Sequence, residues 1–303
     1  MKTNMENDEL KNAILTVVAR FDLFDYPLND FEVWQFLPLK ASYQAVKANI
    51  SVANLNLNDG LLFLNHRQNI INIRHTRYRE TNHKINIIKQ RLNFISWLPG
   101  IKLICLANVI GANNLKPNAD IDLFIITKAN RVWLVKLLAT IILKIFALRP
   151  TDNKVKNKLC LSFLVDETAL DLSVCRHNNE DWYFSYWLAG LMPLWGSQST
   201  YEQLMKANSW LVQQLPNWRL SCSAPLKRFT AKEANTKLSK LGNYLETFSK
   251  KLHQKLMNQA LWQNKNNNSG VIINDHLLKL HTIDRREYFF LQAQERISQL
   301  TLR

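Results

Sequence analysis

A chain of 303 residues, 47% hydrophobic and 10% aromatic, has enough apolar material for more than one core, which excludes disorder along its whole length. Its formal net charge of +15 favours polyanionic partners (nucleic acid, nucleotide phosphates or an anionic membrane surface) without choosing among them. The four cysteines, Cys105, Cys160, Cys175 and Cys222, form no C-x-x-C pair, so no zinc site is expected, and Cys105 and Cys160 read as core residues within apolar runs.

In chain order, residues 1–80 read as a helical unit that ends in a hairpin. The first helix carries Leu10, Ile14, Val17, Val18 and Phe21 at helical spacing, with a cap expected at Asn7 or Asp8. Pro27 marks a turn, and Asn29 or Asp30 is expected to cap the second helix. A third helix is read in SYQAVKANISVANL, and GLLFL and NIINI read as the paired strands of the hairpin. Helix, helix, helix, hairpin is the order of a winged helix, whose basic residues here would be Lys40, Lys47, His66, Arg67 and Arg74.

Residues 81–180 read as a mixed sheet with helices. A basic helix ends at Pro99-Gly100, and Leu103–Ala107 forms a short strand. A small-residue turn, a strand opening on Asp120-Ile121-Asp122, and an apolar helix over 131–150 follow. LCLSFLVD and ALDLSVC read as two further strands. The 131–150 segment is broken by Lys136 and Lys144, too close together for a bilayer span, and these lysines are expected on one polar edge of the helix. Residues 181–303 read as helical, with an apolar stripe through Leu238, Leu241, Leu245, Phe248, Leu252, Leu256 and Leu261, and a short strand or turn before the last helix. MKTNMENDELKN does not read as a secretory signal, and a reducing cytoplasm is the expected compartment.

The chemistry concentrates at Asp120 and Asp122. Residues i and i+2 of a strand point to one face, so the two carboxylates project side by side. Like charges held that close repel, and a divalent cation removes the repulsion. Asp171, alternating with Leu170 and Leu172, is the expected third carboxylate on a neighbouring strand; Asp166 and Glu167 are alternatives that look like turn residues.

Together with FDLFDYPLNDFEVW, RVWLVKLLATIILKI, KLCLSFLVDETALDL and ANSWLVQQLPN, this ordered set resembles the nucleotidyltransferase superfamily, whose fold is that of DNA polymerase beta. It is also similar to a bacterial family of chains of this length that joins a winged-helix-like unit, such a domain and a helical tail. The resemblance implies an α+β fold and transfer of a nucleoside monophosphate from an NTP, ATP being expected, to an acceptor hydroxyl. Asp120, Asp122 and Asp171 would be the catalytic residues and would hold Mg²⁺ or Mn²⁺. The turn that reaches the triphosphate would fall at Asn108 and Val109, where the family carries Gly-Ser, and Ala119 stands where Ser is common. The metal half of the motif is kept and the phosphate half is altered. That points either to reduced activity or to an inactive protein of this fold that binds nucleotide or nucleic acid, with the winged helix as reader. No P-loop, G-x-G-x-x-G or G-x-S-x-G occurs, and with seven Gly in all a Gly-rich phosphate cradle is excluded. The histidines, the pair Arg285-Arg286 and Lys250-Lys251 read as solvated surface.

Overall fold

The computed structural model describes residues 2–51, 53, 55–107, 113–219, 240–257, 259–267 and 269–301. It is a mixed α+β protein built on one six-stranded sheet.

Helix α1 (Lys2–Asp22) starts earlier than the expected caps, and it buries Leu10, Ile14, Val17, Val18 and Phe21 as its spacing requires. Helix α2 (Asp30–Phe36) is capped by Asn29 in a full capping box: Asn29 accepts from the Glu32 N–H, and Glu32 accepts from the Asn29 N–H. Helix α3 (Tyr43–Ile50) is capped by Ser42. The hairpin follows, but it is not the pair expected. Strand β1 (Asn56–Asn58) pairs with β2 (Leu61–Phe63) across Asp59 and Gly60, both at positive φ. Asp-Gly is the preferred content of such a two-residue turn, so it closes the hairpin before NIINI is reached. NIINI instead opens helix α4 (Ile70–Leu92), with Ile70 and Ile71 packed on Leu61 and Phe63. Leu28 bridges Leu62 and adds a third strand-like edge to the hairpin.

The central sheet begins with β3 (Ile101–Leu106), β4 (Ile121–Thr127) and, after helix α5 (Val132–Ile145), β5 (Leu159–Asp166). The crossover through α5 lets β5 run parallel to β4, while β3 runs antiparallel to it. The first turn of α5 has no cap of its own; Glu246, from a later helix, accepts from the Trp133 and Leu134 N–H groups at 2.9 and 2.8 Å. Lys136 is not on a solvent edge as expected. It is buried, and its ammonium donates to the Leu161 carbonyl. The reason is a bulge: Asp122 pairs with Cys160 but Phe124 with Phe163, so β5 carries one extra residue there. The amine meets a carbonyl at this irregular point of the ladder.

Beyond residue 181 there is more strand than the single short strand or turn expected before the last helix. Helix α6 (Trp182–Ala189) is followed by β6 (Met192–Gly196), helices α7 (Gln198–Ala207), α8 (Trp210–Gln214), α9 (Lys240–Leu256) and α10 (Gln259–Gln263), then strands β7 (Val271–Ile273) and β8 (Leu277–Leu280) and helix α11 (Arg286–Thr301). The sheet order is β6-β3-β4-β5-β8-β7. Pro193 is tolerated because β6 is an edge strand.

Side-chain alternation divides the core between the two faces of the sheet. Ile104, Ile121, Leu123, Ile125 and Leu164 meet α4 and α5 on one face. Leu103, Cys105, Phe124, Ile126, Phe163 and Val165 meet α1, α6 and α11 on the other. The apolar stripe of α9 is only partly used: Gly242 and Ser249 turn inward, whereas Leu241, Phe248 and Leu256 are exposed, and Leu238 lies outside the described residues. No described helix is long and apolar enough to cross a membrane.

Candidate metal centre and its cavity

Asp120 ends the turn that enters β4, and Asp122 is the second residue of that strand. Their face continues through Phe124 and Ile126, so both belong to the side covered by α6. Asp122 stands in register with Cys160 on the parallel neighbour β5. One ligand atom each from Asp120, Asp122 and Cys160 lie within 4.8 Å of one another, and all three residues are partly buried. Burial, and then the charge of Asp120, push the Asp122 carboxyl up to about 7, although the Cys160 thiol donates a hydrogen bond to it. Burial also raises Asp120, against the pull of Lys84. The Cys160 thiol is pushed up to about 12 by burial and by both carboxylates.

The approach to Asp120 is clamped by one face of α4. Arg77, Thr81 and Lys84 recur at helical spacing and are all buried. Arg77 donates to the Asn114 side chain at 3.0 Å, Thr81 Oγ1 accepts from the Leu115 N–H at 3.0 Å, and Lys84 Nζ donates to the Ala119 carbonyl at 2.6 Å. Burial lowers the Lys84 ammonium, and its neighbours Glu80 and Asp120 draw it back up. Asn108 and Val109, the expected phosphate turn, lie outside the described residues.

Asp122 opens on a cavity of about 350 Å³. Its walls come from distant parts of the chain: Phe24 after α1, Tyr183, Phe184 and Trp187 on α6, Lys279 and His281 at β8, and Arg285, Arg286 and Phe289 at the start of α11. Tyr183 stacks on Phe289 at 5.4 Å, and Trp187 stacks on both Phe163 and Phe184 at 5.3 and 5.1 Å. The Trp187 indole N–H donates to the Ala107 carbonyl at 2.8 Å, which ties this wall to the end of β3. Lys279 is buried beneath the rings, 5.1 Å from the centre of Phe184, and burial with Arg286 nearby brings its ammonium down to about 8. Burial and Lys279 hold His281 down at about 4, so this imidazole is neutral at pH 7 and is not the surface residue expected. Arg286 is likewise buried rather than solvated, paired with Asp181 at 2.8 Å and with Asp284; Arg285 is exposed at the rim.

Asp171 does not join the two aspartates in this cluster. The expected ALDLSVC strand is absent; Asp171 sits in an exposed turn and accepts from the Ser173 N–H at 2.9 Å, at the start of a 3₁₀ turn (Ser173–Cys175). The cause is Asn208. Its buried side chain accepts from the Leu172 N–H and donates to the Leu170 carbonyl, giving this segment the hydrogen bonds that a neighbouring strand would have given. Asp166 and Glu167 lie at the far end of β5, where Thr127 pairs with Asp166. Asp166 accepts from Thr168, Asn130 and His276; burial raises its carboxyl, but these bonds outweigh burial and hold it below the ordinary range. Glu167 is a turn residue, as read, whereas Asp166 is the buried last residue of β5. Cys160 is the residue that sequence reasoning missed. Its alternation with Leu159 and Leu161 carries the signal, since it places the thiol on the face opposite the leucines.

Compared with family models, curated proteins and solved structures, the chain matched none.

Proposed function

We propose that this protein has the nucleotidyltransferase fold and binds an NTP in the cavity beside Asp120 and Asp122, passing a nucleoside monophosphate to an acceptor hydroxyl. The observation that carries the reading is the pair of aspartates, side by side at the head of β4, of which Asp122 lines a cavity walled by stacked rings and cations. The order β3, β4, α5, β5 supports it. So does the sequence α1, α2, α3, hairpin, with its Leu28–Leu62 bridge, for a winged-helix unit in front.

A nucleotidyltransferase fold implies a divalent cation at this donor set. Two carboxylates suit a hard divalent cation such as Mg²⁺ or Mn²⁺; the third donor, a thiol, does not suit Mg²⁺. A bound ion would supply charge neutralisation for the phosphates. The chain's own groups supply the rest. The rings that wall the cavity offer apolar surface for a base, and Arg285 at the rim offers positive charge for phosphate oxygens.

A second reading is favoured by one observation: the place on β5 facing Asp122 holds Cys160, not a carboxylate that would draw a proton from the attacking hydroxyl. In this reading the protein binds nucleotide without turning it over. The winged helix is a weaker reader of nucleic acid than its composition suggested. Arg67 pairs with Asp22 and Asp25, Arg74 pairs with Glu32, and Lys40 donates to the Pro216 carbonyl.

Labelled NTPs, a divalent cation and an extract of acceptors test the two readings. Under the first, a labelled product forms and is lost in Asp120→Ala. Label transfer that survives Asp120→Ala overturns it, and nucleotide binding with no product at all moves the protein to the second.

A further inference from the structure

We infer that Asp120, Asp122 and Cys160 form an open three-ligand site for a thiophilic divalent cation of the Zn²⁺ or Co²⁺ type, with sulfur as a ligand, rather than a Mg²⁺ site. The inference depends on Asp120 and Asp122 being a cation site, and it does not depend on nucleotidyl transfer.

The geometry points this way from two directions. The pairing of Asp122 with Cys160 across β4 and β5 is part of the central sheet, so the sulfur is held there by backbone hydrogen bonds and not by a mobile loop. The bulge that follows, between the Asp122–Cys160 and Phe124–Phe163 pairs, returns β5 to register, so that Phe163 faces the same side as Phe124. Cys160 is therefore on the Asp122 side of the sheet, with its donor atom within 4.8 Å of both carboxylates. The second direction is the cavity. Three protein ligands leave a tetrahedral ion one open position, the arrangement of reactive rather than structural sites. Asp122 is also a wall of the 350 Å³ cavity, so that position has room for water or an oxygen of a bound ligand.

Ligand chemistry selects the ion class. Mg²⁺ takes oxygen donors in near-ideal octahedral geometry, and a thiol on the third side leaves it with two protein ligands. Zn²⁺ and Co²⁺ accept mixed oxygen and sulfur sets. On binding, the sulfur–metal bond forms as the Cys160 S–H bond breaks, and the proton leaves to solvent.

The test uses the full chain and Co²⁺ as a spectroscopic probe, with no activity assay. Expected is one Co²⁺ per chain with a thiolate-to-cobalt charge-transfer band, displaced by Zn²⁺ and lost in Cys160→Ser and in Asp122→Asn. Cys160→Asp, which restores an oxygen donor, should lower the preference for Zn²⁺ over Mg²⁺ about tenfold or more. Three results overturn the inference: no Co²⁺ binding, Co²⁺ binding without the band, or a band that survives Cys160→Ser. A protein that gives the band but transfers no nucleotide keeps this site and loses the enzymatic reading; one that transfers nucleotide on Mg²⁺ and gives no band does the reverse.

Discussion

Asp122 carries a pH signature that separates it from an ordinary surface aspartate. Burial and the Asp120 charge hold its carboxyl near 7 in the fold, against about 3.9 in the unfolded chain. Between those values the folded state binds the extra proton, so this group's contribution to stability falls as pH rises from about 4 through 7. The full shift corresponds to at most about 4 kcal/mol. Asp122→Asn removes it. In metal-free buffer the variant should gain Tm over the parent at pH 8 and show little difference at pH 4; equal Tm differences at the two values would refute the buried, charge-coupled Asp122. How much of this was legible in the sequence follows from strand parity. D-I-D before an apolar run gave both aspartates their common face. The same parity in L-C-L-S places Cys160 on that face, but an apolar-run cysteine reads as core when composition is weighed first. Asp171 failed for a reason no local pattern contains: Asn208, thirty-seven residues downstream, takes the hydrogen bonds of 170–172.

Among the elements, those that could be read are those whose periodicity is undisturbed. β5 matches its expected residues, and α5 lies within its expected span, because apolar runs bounded by polar connectors leave little choice. β6 was hidden inside a stretch of helical composition, and the deciding residue is Gly196. At φ +119, a Cβ there would lie 2.3 Å from the Lys102 carbonyl oxygen and 2.8 Å from the Leu103 Cα, both backbone atoms of β3. Only glycine lets the edge strand approach β3 this closely. Gly196→Ala should cost about 2 kcal/mol or more, from backbone strain and steric contact together, measured by denaturant unfolding. A loss of a few tenths would mean that β6 is not docked as described. The short strand or turn expected before the last helix is a hairpin, β7–β8, whose turn depends on Asn274: its side chain accepts from the His276 and Leu277 N–H groups.

At the scale of the whole molecule, the cavity belongs to no single segment. Phe24 comes from the N-terminal helices, Asp122 from the sheet, Trp187 from α6, and Lys279 and Phe289 from the last hairpin and helix. Some of the arginines behind the +15 charge are paired within the fold. Arg67, Arg77, Arg286 and Arg296 are engaged with Asp22, Asp25, Asp181 and Asp284, tying helices to one another around the rings that wall the cavity. Of the cations that line the cavity with Asp122, Lys279 donates to the Ser269 carbonyl at 2.6 Å, and Arg285 is exposed at the rim, where a polyanion would meet it. The most direct measurement is calorimetric titration of ATP with Mn²⁺ into the wild-type chain and into Asp120→Asn combined with Asp122→Asn. Expected is one metal-dependent ATP per chain, with affinity at least about tenfold weaker in the double variant, a loss of about 1.4 kcal/mol. Binding that ignores the metal and is unchanged in the variant, or no binding to the wild type, would contradict it.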